Sequence, residues 1–207
     1  MKLVYRGAEA DIFSGNWAGS AAIFKFRKPL PYRLPELDRE IRAARTVREA
    51  QIIHDARSAG VGVPHLYYVS LVESLIVMEQ IAGRRLKTTL ESGDPRGLSR
   101  QFGTAVGRLH GAGVMHGDLT TSNVIVAEEG VRLIDFGLST HSQRLEDHAV
   151  DLRLIKETLV GAHSRVSSIA MEAFVEGYSE VVGGARAKEV TRKLTEIERR
   201  GRYARVE

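Results

Sequence analysis

Two short acidic signatures, each set against a run of apolar residues, constrain this chain more than any other feature. The first is His116-Gly117-Asp118-Leu119-Thr120-Thr121-Ser122-Asn123, which leads directly into Val124-Ile125-Val126. The second is Ile134-Asp135-Phe136-Gly137, at the end of the apolar segment Val131–Ile134. A purely structural account gives no reason for two acids and an Asn at strand ends. An Asp and an Asn five residues apart on a loop can point into one site. The Asp can orient a hydroxyl or water, and the Asn oxygen can hold Mg²⁺. A second Asp at a strand end supplies a hard anionic ligand for the same ion. Gly137 permits the turn that aims it. Phosphoryl transfer needs mainly such positioned oxygens and metal charge. Either signature alone is weak, since an isolated Asp-Phe-Gly is more often a turn than a metal site. Both together, in this order, are a strong signal.

The rest of the chain reads as a strand-rich first part and a mainly helical second part. Leu3–Tyr5, Ala10–Phe13 and Ala21–Phe26 read as strands separated by Gly7, Gly15 and Gly19. Pro29, Pro31 and Pro35 break the backbone. A helix is expected over 36–58, with Ile41, Ala44, Val47, Ala50 and Ile53 as its apolar face. Leu66–Ser70 and Leu75–Met78 read as further strands. Leu98–His110 reads as a helix that places Leu98, Phe102, Ala105, Val106 and Leu109 on one face. From Glu146 onward three helical stretches are expected, broken near Gly161 and at Gly183-Gly184. The expected division is 1–83 and 84–207, with a ligand cleft between unlike lobes.

The 207 residues suffice for one domain or two small lobes, and 43% apolar content suits a globular protein. No apolar run approaches the ~20 residues of a membrane span. The N-terminus, MKLVYRGAEADIF, shows no long apolar signal region. The absence of cysteine excludes disulfides and thiolate metal sites, and makes a cytoplasmic location the default. The net charge of +4 is clustered, in the Arg-rich stretch 27–48 and again from Arg186 to Arg205. These clusters read either as solvated helix faces partnered by Glu36, Glu40, Glu189, Glu196 and Glu198, or as surfaces for a polyanion. The excess of Arg over Lys tilts the balance toward nucleic acid.

The two acidic signatures resemble the catalytic and magnesium loops of the protein-kinase-like superfamily. That resemblance implies an α+β, two-lobe minimal kinase fold, with a small strand-rich N-lobe and a reduced helical C-lobe. ATP and Mg²⁺ are its implied cofactors. It implies that Asp118 is the catalytic residue and that Asn123 and Asp135 hold metal. Upstream, Ala22-Ile23-Phe24-Lys25 is similar to the strand that carries the phosphate-binding lysine. Glu49 fits the helix glutamate that anchors Lys25, with Glu40 as rival. Met78-Glu79-Gln80-Ile81 resembles the hinge whose backbone binds adenine. Gly7-Ala8-Glu9-Ala10 stands where the glycine-rich loop would be, much reduced, and Glu9 there could oppose phosphate. Two further departures stand out. Gly117 replaces an arginine that commonly pairs with a phosphorylated activation loop, so activation by that route is not expected. No Ala-Pro-Glu motif follows Gly137.

A narrower resemblance covers nearly the whole chain. Arg6-Gly7-Ala8-Glu9-Ala10, Pro29…Tyr32-Arg33…Pro35…Leu37-Asp38, Arg45-Thr46-Val47-Arg48-Glu49-Ala50, the Leu-Thr-Thr-Ser-Asn loop and Arg199-Arg200-Gly201-Arg202 resemble the small atypical kinase subunit of the KEOPS (EKC) complex, in an archaeal stand-alone form. The family implies ATPase and Ser/Thr protein kinase activity in support of threonylcarbamoyladenosine formation on tRNA, with the tRNA-modifying subunit and other KEOPS subunits as partners. Gly201 is expected to break the last helix. That would leave Arg199, Arg200, Arg202 and Arg205 as candidate tRNA contacts, against a simple frayed end or a tail that follows the last helix back toward the cleft. The rival functions are a small-molecule phosphotransferase of the antibiotic-kinase kind, a non-catalytic ATP-binding scaffold, and a generic basic RNA-binding module. The last leaves Asp118, Asn123 and Asp135 unexplained.

Overall fold

The computed structural model describes residues 1–203, with side chains to Arg200. Its chain divides into two compact units: Met1–His54 with Pro64–Ile81, and Asp55–Val63 with the chain from Ala82 onward.

The first unit is built on strands β1 (Lys2–Arg6), β2 (Ala10–Trp17) and β3 (Ser20–Arg27), helix α1 (Pro35–Ser58) as far as His54, and strands β4 (Leu66–Ser70) and β5 (Leu75–Glu79). The strands form one antiparallel sheet in the order β1-β2-β3-β5-β4. Alternation along β3 decides its two faces. Ala22 and Phe24 join Val77, Phe13, Trp17 and Leu75 in an apolar cluster. Lys25 and Arg27, on the opposite face, are also buried.

Helix α1 starts where Pro35 fits the first turn, with Glu36 and Asp38 favourably placed against its dipole. Of the apolar face expected from the sequence, only Ile53 is fully buried. Val47 is 44% exposed, and the buried residues are Asp38, Thr46, Glu49, Ile52, Ile53 and Ala56. A strict three-residue step drifts by about 60° per step on a 3.6-residue helix, so it cannot stay on one face. The true face is largely polar because it meets Lys25 and Arg27.

In the second unit come β6 (Arg84–Arg85), α2 (Leu86–Thr89), α3 (Pro95–Gly111), β7 (Val114–Met115), a 3₁₀ turn at Thr121–Asn123, β8 (Val124–Ala127), β9 (Gly130–Leu133), β10 (Thr140–His141), α4 (Leu145–Ala162), α5 (Ser167–Val182) and α6 (Gly184–Tyr203). Asp94 caps α3 by accepting from the Gly97 amide, with Pro95 in the first turn. Two small antiparallel sheets, β6-β8-β9 and β10-β7, carry the loops of interest. Beneath them lies a helical core that includes Phe102, Val106, Leu109, Leu152, Ile155, Leu159, Phe174 and Val190. No helix among the described residues is long and apolar enough to cross a membrane.

Gly201 does not break the last helix, which runs on to Tyr203. One interior glycine costs only about 1 kcal/mol relative to Ala, too little to end a helix by itself. The side chain of Arg202, and Arg205 altogether, lie outside the described residues.

Candidate active site

In the first unit the structure joins Lys25 to Glu49. Lys25 Nζ lies 2.6 Å from Glu49 Oε1, and both side chains are buried. The register of β3 places Lys25 between Ile12 and Ile76. Sequence reasoning missed a third member. Arg27 pairs with the other oxygen of Glu49 and is itself buried. Its two-residue spacing from Lys25 on a strand was the available signal. Glu40, the rival to Glu49, is exposed.

The segment Gly7–Ala10, expected to be a reduced phosphate loop, is a tight turn. The Gly7 amide donates to the Ala10 carbonyl at 2.9 Å. A methyl group at Gly7 would come within 2.6 Å of that oxygen. Lys28 Nζ donates to the Gly7 carbonyl at 2.7 Å. Glu9 is ion-paired with Arg45 and Arg33, so its charge is offset within the unit. Ala8 and Ala10 contribute backbone only. In the expected hinge, Met78 is buried in the sheet. The Glu79 and Gln80 amides are taken by the carbonyls of His65 and Ala21. The Ile81 amide makes no such bond among the described residues, which leaves it as the donor of this segment.

In the second unit the 3₁₀ turn folds Asn123 back onto Asp118. Asn123 Nδ2 donates to the Asp118 carbonyl at 2.9 Å and to Asp118 Oδ2 at 2.8 Å. Both bonds use the amide nitrogen, which leaves the side-chain oxygen as the end suited to a hard cation. The Ile134 amide donates to the Asn123 carbonyl at 3.0 Å, tying the two signatures together immediately before Asp135. Asp135 is exposed and adopts φ +64°, a left-handed conformation that favours Gly, Asn or Asp. His116 is fully buried against the Phe136 ring. Its Nε2 lies 3.2 Å from the Ile134 carbonyl, and the Asp118 amide reaches its Nδ1 at 3.3 Å. One neutral tautomer, with the hydrogen on Nε2, satisfies both contacts. Burial holds the His116 pKa below its ordinary value, consistent with that neutral ring.

A residue without any sequence signal organises this loop. Asp151 of α4 is fully buried. Its Oδ2 accepts from the His116 amide at 2.6 Å, and its Oδ1 from the Gly117 amide at 2.9 Å. Burial pushes its carboxyl up, but His110 and then His116 outweigh that and hold it below the usual value.

Gly117 has a steric reason to be glycine. It adopts φ +82°, and a methyl group there would lie 2.5 Å from the Leu138 carbonyl oxygen. The segment after Gly137 is pinned without any phosphate. Ser139 Oγ donates to the His116 carbonyl at 2.7 Å, and β10 pairs with β7.

The buried histidines make stability pH-dependent. His148 stacks on His110 with ring centroids 4.0 Å apart. Burial, then the neighbouring His110, lower the His148 pKa to about 4. A folded-state value below the unfolded 6.5 means that the unfolded chain takes up the proton first. This contribution is complete above pH 6.5 and is lost as pH falls toward about 4. His148 alone is expected to cost about 2 kcal/mol between pH 7 and pH 5, with His116 adding to the same trend. Urea midpoints at the two pH values check this. His148→Asn should flatten the dependence, and an equally steep slope in that variant would refute the assignment.

Most described C-terminal charges have partners. Arg192 and Lys193 meet Glu196, Lys156 meets Glu198, and Arg200 lies 3.8 Å from Glu146. Arg199 is exposed.

Residues 33–163 match the protein kinase domain family. The KEOPS complex subunit Bud32 of Pyrococcus abyssi is 40% identical, over 98% of this chain and 96% of its own length. The EKC/KEOPS complex subunit BUD32 of Yarrowia lipolytica is 34% identical, over 97% and 91%. A probable bifunctional tRNA threonylcarbamoyladenosine biosynthesis protein of Methanothermobacter thermautotrophicus is 39% identical over 97% of this chain, which spans only 36% of that relative. Among solved structures, the Rio2 kinase of Chaetomium thermophilum in its ADP/Mg²⁺-phosphoaspartate complex superposes with a TM-score of 0.65 at 15% identity, covering 99% of this chain and 72% of that one. WaaP in complex with acyl carrier protein gives 0.64 at 16% identity, covering 94% and 88%. These two likenesses show the fold alone. With its kinase-domain match and its full-length relatives, the chain belongs to the Bud32 family of KEOPS complex subunits, whose fold is protein-kinase-like.

Proposed function

We propose that this chain is an ATP-dependent kinase/ATPase that works within a KEOPS-type complex to support threonylcarbamoyladenosine formation on tRNA. The observation that carries the reading is the bonded pair Asp118–Asn123 tied through the Ile134 amide to Asp135. Asp118 positions the attacking hydroxyl or water and takes up its proton as that oxygen bonds the γ-phosphorus and the bond from the γ-phosphorus to the ADP oxygen breaks. Lys25 meets the α/β-phosphates, held in place by Glu49. The Ile81 amide serves adenine.

The residues present fit magnesium. No group of three or more His, Cys, Asp or Glu forms a metal cluster among the described residues. Magnesium at kinase sites is held by one or two protein oxygens, with phosphates and water completing the shell. The Asn123 side-chain oxygen and the exposed Asp135 carboxylate supply such a pair. When bound, the ion would neutralise charge on the transferring phosphoryl group.

The partners that follow are the tRNA-modifying subunit and other KEOPS subunits, in the cytoplasm. Arg199 and Arg200, with Arg202 and Arg205 beyond the described side chains, are the proposed tRNA phosphate contacts. The test is ATP turnover by the purified chain, alone and with tRNA and co-purified KEOPS subunits. Stimulation by both supports the reading, and turnover that ignores both contradicts it.

Activity is expected not to depend on phosphorylation of the segment after Gly137. Gly117 offers no guanidinium, and Ser139 already bonds the His116 carbonyl through its free hydroxyl. Phosphatase-treated protein should keep its partner-stimulated turnover. Complete loss, restored by rephosphorylation, would overturn this.

A further inference from the structure

Interior glycines bring α3 and α5 closer than side chains would allow. A methyl group at Gly103 would lie 1.9 Å from the Phe174 carbonyl oxygen, and one at Gly177 would lie 2.1 Å from that of Arg100. At Gly107 it would meet Val181 Cβ at 2.9 Å. This close crossing sets the buried Tyr178 ring against His110, edge to face at 5.5 Å. The Tyr178 hydroxyl lies 3.0 Å from His110 Nδ1, and His110 Nε2 lies 3.2 Å from Asp151 Oδ2.

These bonds have a direction. An ionised Asp accepts only, so His110 Nε2 carries the hydrogen it donates to Asp151. In the neutral ring Nδ1 is then the acceptor, and the Tyr178 hydroxyl donates to it. Burial raises the Tyr178 pKa and so keeps that hydroxyl protonated. Asp151 in turn accepts the amides of His116 and Gly117, the two residues before Asp118. Tyr178, His110 and Asp151 are between 0% and 4% exposed, so water does not compete for these bonds.

We infer that Tyr178 and His110 are positioning residues for the catalytic loop: Tyr178 fixes the His110 tautomer, His110 orients the Asp151 carboxylate, and Asp151 holds the amides that aim Asp118. The inference rests on the phosphotransfer role of Asp118 proposed above. Without the hydroxyl, Nδ1 becomes a buried acceptor with no donor. The ring can then adopt the other tautomer, which turns a lone pair on Nε2 toward the carboxylate.

The test uses the full chain carrying Tyr178→Phe. The kcat for ATP turnover should fall roughly tenfold with KM for ATP unchanged, because the loop is misaimed while Lys25 is untouched. Ring-nitrogen NMR should show His110 passing from the single Nε2–H tautomer to a mixture. The His116 and Gly117 amides should exchange with solvent roughly tenfold faster. Phe102→Leu serves as a stability-matched control, because it loosens the same helix pair without touching the polar chain. It should lower the melting temperature and leave kcat, tautomer and exchange unchanged. His110→Gln, whose amide can donate to Asp151, should keep more turnover than His110→Leu. Wild-type kcat with unchanged amide exchange in Tyr178→Phe overturns the inference. So does a fall in kcat no larger than that of Phe102→Leu at equal stability. If the wild-type chain turns over no ATP, the phosphotransfer reading fails, and the tautomer and exchange data still decide whether Tyr178 sets the loop.

Discussion

Replacing Asp135 with Asn is expected to lower ATP turnover by about a hundredfold to a thousandfold while the fold survives, since loss of one charged stabiliser at a phosphoryl site has effects of that order. Asn is the informative substitute. Asp135 sits at φ +64°, where Asn is tolerated and Ala is strained. The side chain is exposed, so little packing is lost and the melting temperature should move by no more than a degree or two. Turnover within twofold of wild type would remove Asp135 from the chemistry. A collapsed melting temperature would mean that the residue serves the fold instead.

Glu49 and Lys25 are expected to fail in different ways. Glu49 is bonded by both Lys25 and Arg27, and all three side chains are buried. Glu49→Ala removes the carboxylate that two buried cations share and is expected to destabilise the protein by about 3–5 kcal/mol, with turnover lost as well. Lys25→Met leaves Glu49 held by Arg27. It should abolish turnover at a stability cost well below that of Glu49→Ala. Denaturant titration beside an ATPase assay separates the two. Equal destabilisation by both substitutions would mean that Arg27 does not hold Glu49 in solution.

Short-range signals carried most of what was legible in the sequence. Strand β4 has the bounds expected from its apolar and aromatic residues, and the strands after Asn123 and before Asp135 differ from expectation by a residue. The breaks near Gly161 and Gly183 fall where α4 and α5 end. The kinase-like fold followed from two loop signatures, because their chemistry dictates residue types at fixed spacing. What was not legible depends on tertiary burial. Asp151 looks like any helix-face acid until α4 is packed beneath the loop. Arg27 lay inside a basic stretch whose charge masked the strand alternation. The buried face of α1 was misassigned because polar residues occupy it, and patterning by hydrophobicity cannot find a face built on ion pairs. Gly103, Gly107 and Gly177 are poor helix formers by propensity, and only the α3–α5 contact explains them.

The most direct test is phosphate release from ATP as Mg²⁺ is titrated, with wild-type protein and Asp135→Asn side by side. The predicted result is release that is absent in chelator, rises saturably with Mg²⁺ in the wild type, and needs far more metal or fails altogether in the variant. Release that is independent of Mg²⁺, or identical metal dependence in the two proteins, would contradict a phosphoryl-transfer site built on Asp118, Asn123 and Asp135.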